Sequence, residues 1–318
     1  MPVNVPVEEQ VSVKEDAPIE DEDILRVVFV TDRNGVDVYT DPSDGSEILG
    51  RYAYAAKLEV VAIEGEWMRV KGMGVYDVGE GFIRKKGTGK STEIRLEAQD
   101  LYTVVSASRF DRNGNPEDVD VISNLKIELV DRAAYESKKK EAVDFFLQDT
   151  LAFQKKDGVL KLKCAQKTKT FTDKPDAEEN MQIFQYVGQI KKLNAYVVFG
   201  SYWEDNDFRL IDKTTGQETD PFIDFPYLSA DNKHILSLYS NPYEQTGDLS
   251  LYTVSGKQQI NLILTAGFKN WMPSGESNDE QFWHADGYFY LPVVHSSIFW
   301  NEQGNLSESL QFIRIKVL

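Results

Sequence analysis

Residues 58–71, LEVVAIEGEWMRVK, read as two β-strands joined by a tight turn. Residues 58–62 are apolar enough for one strand, Glu64-Gly65-Glu66 reverses the chain, and residues 67–71 form the next. Working outward, Ile48-Leu49-Gly50-Arg51-Tyr52 and Val36-Asp37-Val38-Tyr39 are two further strands upstream. Asp41-Pro42-Ser43-Asp44-Gly45 separates them as a turn cluster. Before them, Asp32-Arg33-Asn34-Gly35 follows the apolar run 25–30. Its Asn-Gly step signals a hairpin in which both residues take positive φ. Downstream, Gly81-Phe82-Ile83 closes the series. Five or six short strands at this spacing specify a small antiparallel barrel rather than a parallel sheet.

The rest of the composition sets wide bounds. The chain has 318 residues, with 35 Lys+Arg against 52 Asp+Glu, a net charge of −17. At roughly 100–200 residues per domain, this length accommodates two domains. A single cysteine rules out an internal disulfide framework and a cysteine-based metal site. The acidic balance argues against nucleic acid as a partner, because phosphate contacts need a basic face. No apolar run reaches the 18 residues of a membrane span. Residues 1–23 hold eight acids and one base, with no aromatic. Such a segment cannot bury enough apolar surface to offset its ordering entropy, and it reads as a disordered acidic tail. The second reading is a spacer from which an export signal or lipid anchor has been removed.

The order V-D-V-Y-x-D-P, I-L-G, L-E-V-V, W-M-R-V-K, G-F-I resembles the bacterial SH3-like domain. Val36, Val38, Pro42, Ile48, Gly50, Val60, Trp67, Val70, Gly81 and Ile83 stand at the matching places over residues 26–86. Asp37 and Tyr39 replace the family's usual Asn and Arg, and residues 72–80 are inserted before the closing strand. The resemblance implies an SH3-like barrel over residues 24–88 and a ligand drawn from peptidoglycan or peptides. Trp67 then has two readings. It fills the barrel core, or it lines a ligand groove with Tyr39, Tyr52, Tyr54 and Tyr76.

Residues 89–150 read as connecting strands and one helix. Gly87-Thr88-Gly89-Lys90-Ser91 imitates the end of a phosphate-binding loop, but Arg84 stands where the first glycine is required. Residues 101–106 and 119–130 read as strands around the turn Asp111-Arg112-Asn113-Gly114-Asn115-Pro116. That turn lacks the glycine and the closing glutamate of a calcium loop. Residues 131–150 read as a helix capped by Asp131 and docked by Val143, Phe146 and Leu147.

Residues 151–318 read as a larger β domain. Leu160, Leu162 and Cys164 alternate with Lys161 and Lys163, which makes Cys164 a buried small apolar residue rather than an activated thiol. Residues 154–174 carry seven lysines and two acids, a local basic strip. The segments LSADNKHILSL and WHADGYFYLPV share one plan, an Asp-containing turn before a buried strand, with Asp231 and Asp286 55 residues apart. They are similar to the blades of β-propeller proteins, so the expected fold is mainly β: an SH3-like barrel followed by a propeller-like or stacked-sheet domain. Residues 181–318 hold 23 of the 37 aromatics. Most suit a core, but Tyr202-Trp203-Glu204-Asp205, Asn241-Pro242-Tyr243-Glu244 and Asn270-Trp271-Met272-Pro273 are polar-aromatic segments in turn-like context. Trp203, Glu204, Asp205, Tyr243 and Trp271 are therefore the candidate ligand contacts of this domain.

Catalysis finds no support in the residues. His295, Ser296, Ser297 and Asp286 are the residue types of a hydrolase triad, without the strand–turn–helix elbow that exposes its serine. His284 and His295 lack a third partner at zinc-ligand spacing, and Glu204, Asp205 and Asp207 beside Trp203 read as an acidic loop rather than paired glycosidase carboxylates. No cofactor or metal is expected. The expected function is a non-catalytic bacterial binding protein at the cell envelope, in the periplasm or on the surface, that holds a protein or a cell-wall glycan or peptide. The alternative is an immunity protein or inhibitor, cytoplasmic or exported, that neutralises a basic toxin. A wall-targeted hydrolase is the third and weakest reading.

Overall fold

A computed structural model describes residues 23–72, 79–111, 113–177, 180–255, 259–275, 278–301 and 304–318. The protein is mainly β, 51% strand, built from antiparallel sheets with one α-helix. It divides into two compact units, Met1–Thr88 and Gly89–Leu318. The acidic tail lies outside the described residues apart from Asp23, as do six residues of the insertion, including Tyr76.

The first unit holds one sheet in the order Ile48–Tyr52, Val36–Tyr39, Gly81–Arg84, Trp67–Gly72, Lys57–Glu64, Arg26–Val30, Thr88–Gly89. Period-2 alternation sorts its side chains. Val36, Val38, Met68, Val70 and Ile83 enter one apolar cluster with Val28, Leu58, Val60 and Tyr52. Asp37, Tyr39, Trp67 and Arg84 alternate with them and so fall on the opposite face. At the Asn34-Gly35 turn only Gly35 takes positive φ, at 80°. Asp32 organises the turn instead, its carboxylate accepting the Asn34 N–H at 2.9 Å.

The second unit has four sheets. The largest runs Tyr227–Leu228, His234–Asn241, Thr246–Ser255, Gln259–Phe268, Val104–Phe110, Pro116–Asp118. A five-stranded sheet runs Leu125–Val130, Gln311–Val317, Phe289–His295, Trp271–Pro273, with Phe282–Trp283 also on Phe289–His295. Gln182–Ile190, Ala195–Tyr202 and Asn206–Asp212 form a three-stranded meander, and Val159–Lys163 with Thr168–Thr172 a hairpin. One core joins the three larger sheets, with Val197 and Leu210, Leu236 and Leu251, and Leu291 and Ile313 among its members. The sheets are unequal in size, and among the described residues neither the expected propeller nor a closed barrel is detected: the first unit's seven strands pair in one open order from edge to edge.

Within residues 89–150, Val104–Phe110 pairs with Gln259–Phe268 and Leu125–Val130 with Gln311–Val317, so these strands complete sheets of the second unit. Two expectations are corrected. The hairpin around Asp111 pairs Val104–Phe110 with Pro116–Asp118 only. The helix spans Arg132–Lys139, not residues 131–150. Asp131 does cap it, accepting the Ala134 N–H at 2.7 Å. Beyond it the backbone finds tertiary partners instead: Val143 N–H donates to the Trp283 carbonyl at 2.8 Å, and Leu147 pairs with Gln189. Val143 and Phe146 still pack on the core, but from extended backbone. Cys164 is buried with Leu160 and Leu162, as their alternation implies.

Trp271 is wholly buried in its strand, stacked on Phe268 at 4.4 Å, with its indole N–H donating to the Leu101 carbonyl at 3.1 Å. It offers no face to a ligand and is corrected to a core residue. Trp271→Ala is expected to cost about 3–5 kcal/mol in urea denaturation, and Trp271→Phe about 1–2 kcal/mol, for the orphaned Leu101 carbonyl.

Candidate functional site

The hairpin of His234–Asn241 and Thr246–Ser255 carries Tyr243 at its tip, 92% exposed. Asn241 shapes the tip, its Oδ1 accepting the Glu244 N–H at 3.1 Å. Below the tip Tyr239 stands opposite Asp248 across the ladder. Thr246 donates its hydroxyl to Asp248 at 2.8 Å, fixing that carboxylate.

The neighbouring meander turns between Ala195–Tyr202 and Asn206–Asp212. Trp203 is 60% exposed there, beside exposed Glu204 and Asp205. The turn is closed by the Tyr202 N–H donating to the Asp205 carbonyl at 2.8 Å. Its base is a charged knot in which the Arg209 guanidinium donates to the Asp207 carboxylate and to the Tyr202 hydroxyl, both at 2.8 Å. Burial, with the Asp207 charge next, pushes the Tyr202 phenol up to about 12. The knot holds the exposed tip on a rigid stem.

Tyr239 links the two tips. Burial raises its phenol pKa first, and the charges of Asp205, Asp224 and Asp248 raise it further, with Tyr243 also within electrostatic reach. Tyr239 also lines a pocket of about 260 Å³ with Asp224, Leu238, Ser240, Pro273, Gln281, Phe299 and Leu306, among others. The Asp224 main chain is pinned to Ser237, which receives its N–H at 2.9 Å and donates its hydroxyl to its carbonyl at 2.8 Å. The Asp224 carboxylate accepts the Phe225 N–H at 2.6 Å. Among the described residues no Lys, Arg or His forms an ion pair with it. Burial therefore pushes its pKa up to about 6. Gln281 adds a buried Oε1 with no hydrogen-bond partner.

The other candidates are dispersed. In the first unit Trp67 is 8% exposed, covered by the edge of Tyr39 at 5.3 Å and by the Arg84 guanidinium at 4.4 Å. Asp44 clamps that guanidinium. Trp67 is therefore buried outside the sheet's main apolar cluster, in a ring pair with Tyr39. Tyr52 is buried in the core, its hydroxyl donating to the Gly79 carbonyl at 2.7 Å, which removes it from any groove. Tyr54 is half-buried under Arg33, 3.8 Å from its ring. Tyr76 lies outside the described residues.

Several residues weighed for catalysis make local hydrogen bonds. Ser296 donates its hydroxyl to the Lys269 carbonyl at 2.6 Å, and His295 Nδ1 accepts the Ser297 N–H at 3.2 Å. His284 Nδ1 accepts the Asp286 N–H at 3.1 Å. Burial acts to raise the Asp286 pKa, but Lys138 at 3.0 Å, the Tyr288 N–H, the Tyr290 hydroxyl and His284 outweigh it and bring it to about 2. Asp224, Tyr239 and Gln281 had no motif to mark them; the one signal was a lone acid between Phe222 and Phe225.

No helix among the described residues is long and apolar enough to cross a membrane. Comparison with known protein families, with curated proteins and with solved structures found no match.

Asp224 generates a pH prediction. Its folded pKa of about 6 lies above the ordinary 3.8, so the folded chain binds the proton more tightly than the unfolded chain. Its stabilising contribution is complete below pH 3.8 and is lost as pH rises through about 6. Across that window the native protein is expected to lose up to about 3 kcal/mol relative to Asp224→Asn. Urea denaturation of both proteins from acid to neutral pH checks it.

Proposed function

We propose that the chain is a non-catalytic binding protein whose second unit engages a basic protein surface through the face formed by Trp203, Asp205, Tyr239, Tyr243 and Asp248. The observation that carries this reading is a pair of aromatic tips, Trp203 60% and Tyr243 92% exposed, with Asp205 beside the first and Asp248 at the base of the second, both carboxylates acting on Tyr239. Large exposed aromatics cost solubility unless they serve recognition, and binding energy concentrates in such residues. The carboxylates supply steering toward cations, reinforced by a net charge of −17.

The first unit is proposed as an SH3-like module. Its strand series and the Tyr39–Trp67 ring pair, with half-buried Tyr39 on its outer side, are what support this reading and a peptide- or wall-directed role. Together the two units fit a bacterial protein of the cell envelope. The net charge favours one further reading, an immunity protein or inhibitor that neutralises a basic toxin.

The test uses fluorescent peptides graded from acidic to basic, measured by anisotropy at low and high salt. Basic peptides are expected to bind, more weakly at high salt. The double variant Trp203→Ala/Tyr243→Ala should lose about tenfold or more in affinity with an unchanged thermal melt. Equal binding of all peptides, or binding indifferent to the double variant, defeats the proposal. A one-to-one complex with a single basic protein, against retention on purified cell wall, separates the toxin reading from the envelope reading.

A further inference from the structure

The pocket that Tyr239 lines is built like a receptor for one side chain. At about 260 Å³ it is smaller than the ~300–1,000 Å³ of ordinary small-molecule and cofactor sites. Leu238, Pro273, Phe299 and Leu306 give it apolar walls, and Tyr239 contributes an aromatic ring. Its charge is unbalanced: Asp224 lines it with a carboxylate that has a single backbone donor and no cation among the described residues. Gln281 also lines it and carries a second acceptor, a buried Oε1 with no hydrogen-bond partner among the described residues.

A buried acceptor left without a donor costs free energy, and a buried carboxylate without a counter-charge costs more. Several other carboxylates of this unit do have a cation. Asp207 has Arg209 at 2.8 Å, Asp286 has Lys138 at 3.0 Å, and Glu128 has Arg314 at 3.0 Å. Asp224 departs from that pattern at the wall of an open pocket.

We propose that this pocket seats the cationic head of a lysine or arginine side chain from the bound partner, with the head on Asp224 and Gln281 and the stem against Leu238, Phe299 and Leu306. The inference rests on the basic-partner reading above and names its anchor. An ammonium or guanidinium supplies both missing elements, positive charge and N–H donors. Its methylene stem matches the apolar wall, and Tyr239 can flank the cation with its ring. A neutral alcohol brings a donor without charge. A quaternary ammonium brings charge without a donor.

The experiment titrates the full-length protein with n-butylammonium, n-butylguanidinium, tetramethylammonium and n-butanol, following the methyl resonances of Leu238 and Leu306 by NMR. The first two are expected to shift those methyls saturably, and the last two to bind at least about tenfold more weakly. The variant Asp224→Asn, near-isosteric and checked for an unchanged fold by the remaining methyl resonances, should lose about tenfold or more of the butylammonium affinity. Indifference to Asp224→Asn, or equal binding of tetramethylammonium, overturns the inference. The basic peptides tested above separate the two claims. If they bind the native protein and Asp224→Asn equally, the pocket inference fails while the surface reading stands. If they bind neither, the surface reading itself fails.

Discussion

Pairing of the C-terminal strand Gln311–Val317 with Leu125–Val130 on one side and Phe289–His295 on the other holds the second unit together. Leu125 faces Val317 and Val130 faces Phe312, so strands nearly two hundred residues apart in the sequence share one register. Bringing them together closes a long loop, an entropic cost that only contacts formed elsewhere can offset. The core shared with the six-stranded sheet and the meander offsets it, since each apolar side chain withdrawn from water contributes about 1.5–3 kcal/mol. The helix joins the same sheet through Tyr135, stacked on Phe312 at 4.3 Å.

That core fixes where the exposed tips fall. The meander and the hairpin of the large sheet both send their inward residues to it, so their turns project beyond it at Trp203 and Tyr243. Local chemistry then stiffens the turns: the Arg209 knot under one, Asn241 and Thr246 under the other. Recognition residues on short turns over a rigid scaffold lose little freedom when a partner docks. Asp205, Asp224 and Asp248 all act on Tyr239, so negative charge stands near these turns.

Much of this was legible in the residues, and the rest was hidden for identifiable reasons. Alternation exposed the strands, as with Leu160, Leu162 and Cys164 against Lys161 and Lys163. The loop aromatics Trp203 and Tyr243 could be read because acids and turn formers surround them. Trp271 has similar neighbours, but its strand pairs with Phe289–His295, a non-local fact that reverses the reading. Val143, Phe146 and Leu147 have helical spacing, yet partners at Trp283 and Gln189 draw their backbone into extended form. Trp67 is buried, as its core reading expects, but apart from the apolar cluster that Met68 and Val70 join. Asp224 was invisible because the pocket around it is assembled from segments as distant as Tyr239, Phe299 and Leu306.

The central claim is that the second unit's aromatic and acidic face is where a basic partner lands. Hydrogen–deuterium exchange of the full-length protein, alone and saturated with an arginine-rich peptide, tests it most directly. The account requires added protection at residues 202–206 and 239–248. Protection confined to the first unit around Tyr39 and Trp67, or to the lysine-bearing hairpin of residues 159–172, would contradict it.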